Sequence, residues 1–157
     1  MRGYSWYETA NGVRHGYWDF RHSSLLRTFL PWLLLIDAAL AGFGKIYLPL
    51  LTGKTVVCER FVLDILVDLI VAFDEHDLPN THPGSLYLNL IPKSSKVIVL
   101  DLDLEKICER RPDLLTDHHL STRLVAFRRL ASQYDYLTLS SESSISDVYR
   151  SIKMHME

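Results

Sequence analysis

The chain has little cysteine and little net charge, and both scarcities limit its possible functions. It holds two cysteines in 157 residues, and Cys58 and Cys108 lack the spacing of metal ligands. Two unpaired thiols are typical of a reducing cytoplasm, which is the compartment we expect. A formal net charge of −2 gives no bulk electrostatic reason to expect a nucleic-acid partner. Residues 1–4 lead into polar and aromatic sequence, which is unlike the apolar segment of a signal peptide.

A long uncharged apolar run is also missing. Residues 25–51 are rich in Leu, Ile, Ala and Phe, but charges and prolines interrupt them at Arg27, Pro31, Asp37, Lys45 and Pro49. A membrane-spanning helix needs roughly 18 or more consecutive apolar residues. The pattern therefore predicts a buried or interface helix, with a membrane-associated segment as the alternative.

No phosphate-binding loop of the form Gly-x-x-x-x-Gly-Lys-Ser/Thr occurs in the chain. Gly53-Lys54-Thr55 matches its last three positions, but Leu48 occupies the place of the first glycine. The context is reversed as well, because a phosphate-binding loop leaves a strand and opens a helix. This segment follows a predicted helix and enters a predicted strand.

Two further kinds of catalytic site find no support. His118 and His119 are adjacent, so on a helix they point in different directions and do not predict a metal site. No serine lies in a Gly-x-Ser-x-Gly turn, which argues against hydrolase chemistry of that type.

What the sequence does contain is an alternation of strand and helix patterns over one predicted domain, residues 1–157. Strands separated by helices predict an α/β fold with a parallel sheet. Residues 1–24 read as irregular structure. The predicted strands cover residues 55–59, 96–101 and 136–139. The predicted helices cover residues 25–50 (as one helix or as two joined near residues 41–44), 62–74, 104–110, 114–134 and 145–156, with a short helix near residues 85–89.

Charged residues follow two of the predicted strands directly. Glu59 and Arg60 come after the apolar run that begins at Thr55, and Asp101 comes after Val97–Leu100. Ligands of open α/β sheets bind just outside the carboxyl ends of the strands. We therefore expect Glu59 and Arg60 to face the same crevice as Asp101 and the Arg110-Arg111 segment.

Three segments occur in the order found in thymidylate kinases and related P-loop nucleotide kinases, which the chain resembles. TVVCERFVLD (residues 55–64) is similar to the strand that bears an Asp-Arg pair, with Glu59 in place of the aspartate. KVIVLDLDLEKICERR (residues 96–111) is similar to the strand ending in Leu-Asp and the helix that leads into the arginine-bearing lid. STRLVAFRRLASQYDYLTLSS (residues 121–141) is similar to a helix of these kinases, the final strand that follows it and the loop that cradles adenine.

The resemblance implies a P-loop-kinase-like parallel sheet with flanking helices that lacks its first βαβ unit. It implies transfer of a phosphoryl group from ATP, with Mg²⁺, to a nucleoside or nucleotide monophosphate. The implied catalytic residues are Glu59, Arg60, Arg110 and Arg111. The residues implied to bind the nucleotide are Asp101, Ser140 and Ser141, and no metal-ligating residue is assigned.

The chain also departs from that family. Ala38, beside Asp37, stands near the position of an arginine that grips the monophosphate. Without the phosphate-loop strand the sheet has a gap, which a direct pairing of strands 55–59 and 96–101, another chain or a missing N-terminal segment would fill. We therefore expect an incomplete or inactive kinase. A non-catalytic binding or assembly module is the alternative, and the apolar surface of Leu33–Leu51 predicts a homo-oligomer, most simply a dimer.

Plainer roles for the charged residues also stay open. Glu59 and Arg60 can form an ion pair at the strand end. Arg110 and Arg111 can be a solvated helix terminus favoured by the helix dipole. Asp103 is expected to cap the helix that follows it rather than to act in catalysis.

Overall fold

The computed structural model describes residues 5–10 and 12–156 and has a mixed α/β fold. Residues 1–4, 11 and 157 lie outside the described residues. The strands are β1 (Ser5–Ala10), β2 (Val13–Trp18), β3 (Ile98–Asp101) and β4 (Leu137–Ser140). The helices are α1 (Ser24–Gly42), α2 (Leu48–Leu51), α3 (Val62–Phe73), α4 (His82–Asn89), α5 (Leu104–Arg110), α6 (Leu120–Gln133) and α7 (Ile145–Met156).

The chain divides into two compact units. The first contains α1 to α4 within residues 16–93, together with residues 5–6, and the second contains residues 7–15 and 94–156 among those described. Most of the buried hydrophobic side chains belong to the first unit. In the second unit the buried hydrophobic side chains, among the residues described, are Ala126, Leu130 and Ala131.

Strands β1 and β2 pair with each other in a two-stranded sheet. The prediction that residues 1–24 are irregular was wrong over these strands. The physical reason is the Asn11-Gly12 dipeptide, which favours a two-residue hairpin turn because such turns need positive φ angles. Gly12 has a φ of +77°.

The predicted helix over residues 25–50 is confirmed. It runs as α1, continues through a π-helical turn (Phe43–Tyr47) and ends as α2. Ser23 caps its start, since its hydroxyl oxygen accepts a hydrogen bond from the Leu26 amide at 3.3 Å. Gly53, with a φ of +76°, ends it as predicted.

The 28-residue helix Ser24–Leu51 has the length and composition of a membrane span, with a mean hydropathy of 1.6 in its most apolar window. The core helix of a soluble protein and a signal sequence share this length and composition. Only 22% of that window is buried inside the protein. The exposure of this helix therefore needs an explanation.

Helix α3 forms the centre of the first unit, as the predicted helix over residues 62–74 implies. Its side chains are apolar on nearly every face, and Leu66 and Val67 are fully buried. Such a helix is stable where neighbouring elements cover it. Helices α1 and α4 pack against it.

The predicted strand over residues 55–59 was wrong. Residues 54–58 form no strand, and the side chain of Val57 is 90% exposed. The apolar, β-branched composition favours an extended conformation, but a strand also needs a hydrogen-bonded neighbour. Among the described residues, none pairs with this segment.

The second unit contains a parallel pair of strands, as the sequence predicts. Ile98 of β3 is aligned with Leu137 of β4, and Asp101 is aligned with Ser140. Helices α5 and α6 connect the two strands, and α7 follows β4. The predicted parallel sheet is thus confirmed for the strands near residues 96–101 and 136–139 only.

The helix predicted over residues 114–134 begins later than expected. Residues Pro112–Thr116 form a short 3₁₀ turn, and Asp117 is extended with a ψ of 102°. Its Oδ1 accepts a hydrogen bond from the His119 amide at 2.9 Å, and its Oδ2 accepts one from Arg123 at 2.7 Å. These contacts separate the turn from α6.

Candidate functional site

The carboxyl ends of β3 and β4 lie side by side at one edge of their sheet. The chain continues the pairing beyond the strands, because the Ser141 amide donates to the carbonyl oxygen of Asp101 at 2.8 Å. The Ser141 hydroxyl donates to the same oxygen at 3.1 Å. Ser140 Oγ accepts a hydrogen bond from the Glu142 amide at 3.3 Å. The structure therefore brings three of the predicted residues, Asp101, Ser140 and Ser141, into one place.

Helix α5 holds the loop that follows β4. Arg110 donates from Nη1 to the carbonyl oxygen of Ser141 at 2.8 Å and from Nη2 to that of Glu142 at 3.2 Å. Lys106, four residues earlier, forms an ion pair with Glu142 at 2.7 Å. Residues four apart lie on the same face of a helix. Arg110 is thus at the strand edge as expected, but in this structure it fixes a loop backbone.

Arg128 of α6 connects the two aspartates at the end of β3. Its Nε donates to Asp101 Oδ1 at 2.8 Å, and its Nη2 lies 3.3 Å from Asp103 Oδ1. The hydrogen bond to Asp101, more than the other contacts, raises the pKa of the Arg128 guanidinium above its ordinary value. Asp103 precedes α5 but its side chain makes no capping hydrogen bond.

The sequence reasoning did not assign Arg128 to the site. It lies 27 residues beyond Asp101, so no local spacing connects the two. The predicted α/β topology was the one feature that could have placed Arg128 near Asp101, because a helix that connects two parallel strands packs beside both of them.

Arg111 is separate from this cluster. Its guanidinium pairs with the carboxylate of Asp113, through Nε at 2.9 Å and Nη2 at 2.7 Å. This contact lowers the pKa of Asp113. The two neighbouring arginines therefore have different partners, and only Arg110 reaches the loop after β4.

Glu59 and Arg60 belong to the first unit, whereas Asp101, Arg110 and Ser141 belong to the second. Both Glu59 and Arg60 are exposed, and Arg60 has a left-handed backbone with a φ of +61°. No ion pair joins them in the part of the chain that the structure describes. The strand that was to position them is absent, and the crevice they were expected to share with Asp101 stays a prediction.

No group of three or more His, Cys, Asp or Glu side chains with metal-binding geometry occurs within residues 5–10 and 12–156. Asp101 and Asp103 are both engaged by Arg128, so they do not form a free pair of magnesium ligands. Carboxylates that hold Mg²⁺ in kinases usually share the ion with substrate phosphates, whereas the carboxylates of Asp101 and Asp103 contact an arginine in this structure.

Comparison of the chain with protein-family models, curated proteins and solved structures found no match.

Proposed function

We propose that this chain is the core and lid portion of a nucleotide kinase similar to thymidylate kinases, and that it binds a nucleotide at the carboxyl edge of β3 and β4. The observation that carries the proposal is the connected cluster at that edge, in which Asp101, Arg110 and Ser141 fix the loop after β4. Open α/β sheets bind ligands at this kind of edge.

The loop of residues 141–142 has the properties of a preformed binding surface. Contacts to Asp101, Arg110 and Lys106 hold it from both the strand side and the helix side. A loop that is ordered before binding loses less entropy when the ligand arrives. In the proposal this loop supports the base and ribose of ATP.

Charge balance at the edge argues against strong phosphate binding by these side chains alone. Lys106 is paired with Glu142, and Arg128 is paired with Asp101 and Asp103. An incoming phosphate would have to compete with carboxylates already in place. The phosphates, and the Mg²⁺ that neutralises their charge during transfer, would therefore depend on a separate phosphate-binding loop.

The parallel pair also has the character of an incomplete sheet. Parallel sheets are normally covered on both faces, yet Leu100 of β3 is 52% exposed. Each strand pairs with one neighbour among the described residues. In the proposal, a strand that carries the phosphate-binding loop completes the sheet, and the isolated chain is catalytically inactive.

Two measurements on the isolated chain test this proposal. ATP with Mg²⁺ should raise the midpoint of thermal unfolding, adenosine should retain part of the shift, and inorganic tripolyphosphate should give none, since ligands that bind only the folded state stabilise it. A coupled assay with thymidine monophosphate should detect negligible turnover. Turnover in the kinase range of about 1–100 s⁻¹ would contradict the proposal that catalysis needs a separate phosphate-binding loop. If ATP does not raise the midpoint of thermal unfolding, the chain is better explained as a non-catalytic assembly module.

A further inference from the structure

The helix Ser24–Leu51 carries a continuous row of large apolar side chains on its exposed side. We call this row the exposed stripe. Its members range from 51% exposed for Leu48 to 79% for Leu51. They are Phe29, Leu33, Ile36, Leu40, Phe43, Leu48 and Leu51. Leu25 and Trp32 of the same helix are also exposed, but they lie outside the spacing of this row.

The spacing of the exposed stripe is that of a helix–helix interface. From Phe29 to Phe43 the steps are 4, 3, 4 and 3 residues, which is the 3.5-residue repeat of coiled coils. The next step, to Leu48, is five residues and spans the π-helical turn Phe43–Tyr47. A π turn inserts one residue into a helix, so Leu48 and Leu51 stay on the same face.

The opposite face of the helix already has partners inside the first unit. Pro31, Leu35, Ala38 and Gly42 are buried, and the Tyr87 hydroxyl donates to the Pro31 carbonyl oxygen at 2.5 Å. The helix cannot turn its exposed stripe inward without losing these contacts. The stripe is therefore a second apolar face.

We propose that the exposed stripe binds the same stripe of a second copy of this chain, in an antiparallel pair whose two-fold axis passes near Leu40. Leu40 is the central member of the stripe. This arrangement places Phe29 opposite Leu51 of the second copy, Leu33 opposite Leu48, and Ile36 opposite Phe43. Every aromatic side chain thus meets an aliphatic one, whereas a parallel pair would place Phe29 against Phe29 and Phe43 against Phe43.

Charge and area agree with this arrangement. Asp37 and Lys45 are exposed and lie three residues before and five residues after Leu40. In the antiparallel pair each Asp37 comes within about two residues, roughly 3 Å along the axis, of Lys45 of the second copy. Seven large apolar side chains that are each at least half exposed offer several hundred Å² per copy, which is the order of the roughly 800 Å² per partner of a standard interface.

A lipid bilayer is the competing occupant of this surface. Lipid chains impose no 3.5-residue spacing, and the buried face of the helix packs against α3 and α4 of its own unit. The exposed helix also carries Arg27, Asp37 and Lys45, which are costly in hydrocarbon. These features favour a second copy, and the pairing is independent of the proposed nucleotide site.

Sedimentation equilibrium at micromolar concentration tests the pairing. The unmodified chain should have twice the monomer mass. Leu40→Glu should give the monomer mass, because it places two carboxylates against each other at the axis. The matched control is Ala41→Glu, which adds the same charge at an exposed position beside the stripe and should leave the dimer intact. A monomeric unmodified chain would overturn the proposal.

Cysteine crosslinking tests the orientation without disrupting the fold. In a Cys58→Ser, Cys108→Ser background, Leu40→Cys should form an intermolecular disulfide on mild oxidation. Phe29→Cys alone should form none, and the Phe29→Cys, Leu51→Cys double variant should form one. Crosslinking by Phe29→Cys alone, or cosedimentation of a monomeric chain with phosphatidylcholine vesicles, would contradict the antiparallel pair.

Discussion

Arg110 Nη1 donates a hydrogen bond to the carbonyl oxygen of Ser141 at 2.8 Å. This contact joins the end of α5 to the loop after β4. It also shows that Arg110 and Arg111, although adjacent, have different partners. Arg110 holds a backbone, while Arg111 pairs with Asp113 in its own turn.

The first prediction concerns this contact. Arg110→Gln should loosen the loop, so that the amides of residues 141–143 exchange with solvent about two- to fivefold faster. Hydrogen bonds to charged groups stabilise strongly when buried, but this one is exposed and should contribute about 0.5–1 kcal/mol. Hydrogen exchange measured by NMR would detect the change. Arg111→Gln is the matched control and should leave these amides unchanged; equal effects would show that Arg110 has no special role.

A second prediction concerns Gly84, where neighbouring backbone leaves no room for a side chain. A Cβ there would collide with the carbonyl oxygen of Leu78 and lie 2.8 Å from Pro79 Cα. Gly84→Ala should therefore lower the free energy of unfolding by about 1–3 kcal/mol. Gly44 has open space around the same position, so Gly44→Ala should raise it by about 0.5–1 kcal/mol. Urea denaturation measures both, and a neutral Gly84→Ala would refute the packing described for α4.

The sequence predicted the helices and strands whose own residues carry a clear apolar pattern. Helix α3 is apolar nearly all round, and β3 and β4 are short apolar runs between helices, so all three were placed close to their observed bounds. The run at residues 55–58 has the same composition as a strand, but pairing depends on a neighbour that the local sequence does not reveal. The hairpin was missed although Asn11-Gly12 predicts one.

The candidate site was predictable only in part. The topology placed Asp101 at the carboxyl edge of the sheet, whereas Ser141 was assigned to the site only through the resemblance to nucleotide kinases. Arg128 reaches Asp101 from a distant helix, and the separation of Arg110 from Arg111 depends on side-chain geometry. Neither can be derived from spacing in the sequence.

The pKa of Asp64 gives a third prediction. Burial in the first turn of α3 raises this pKa, and the positive charge of Arg60 opposes the shift. The folded state therefore binds the proton more tightly than the unfolded state, and the stability contributed by this group is present at acid pH and is lost as the pH rises through the raised pKa. Asp64→Asn should raise the melting temperature at pH 7.

That gain should shrink as the pH is lowered through the ordinary range of an aspartate, because the native carboxyl then becomes neutral as well. Thermal melts across this range measure the effect. Asp68→Asn removes an exposed carboxylate of the same helix, whose like charge also raises the pKa of Asp64, and should give a smaller gain than Asp64→Asn. A gain that does not depend on pH would rule out burial as the cause.

A fourth prediction concerns the buried hydroxyl of Tyr87. It donates to the Pro31 carbonyl oxygen, and burial raises the pKa of the phenol. Tyr87→Phe should lower the free energy of unfolding by about 1–3 kcal/mol, because the buried carbonyl loses this donor. Tyr149 is 67% exposed, and Tyr149→Phe should change stability by less than about 0.5 kcal/mol. Equal stabilities of the two variants in urea would contradict this role.

The most direct test of the nucleotide site is an amide NMR titration of the isolated chain with ATP and Mg²⁺. We expect chemical-shift changes at residues 101–103 and 140–144, with a Kd on the order of 1 mM, and adenosine should reproduce most of them. Arg110→Gln should weaken binding, because Arg110 holds the carbonyl oxygens of Ser141 and Glu142, whereas Arg111→Gln should not, because Arg111 pairs with Asp113. Absence of shifts at these residues up to about 10 mM ATP, or shifts confined to the first unit, would contradict a nucleotide site at the edge of β3 and β4.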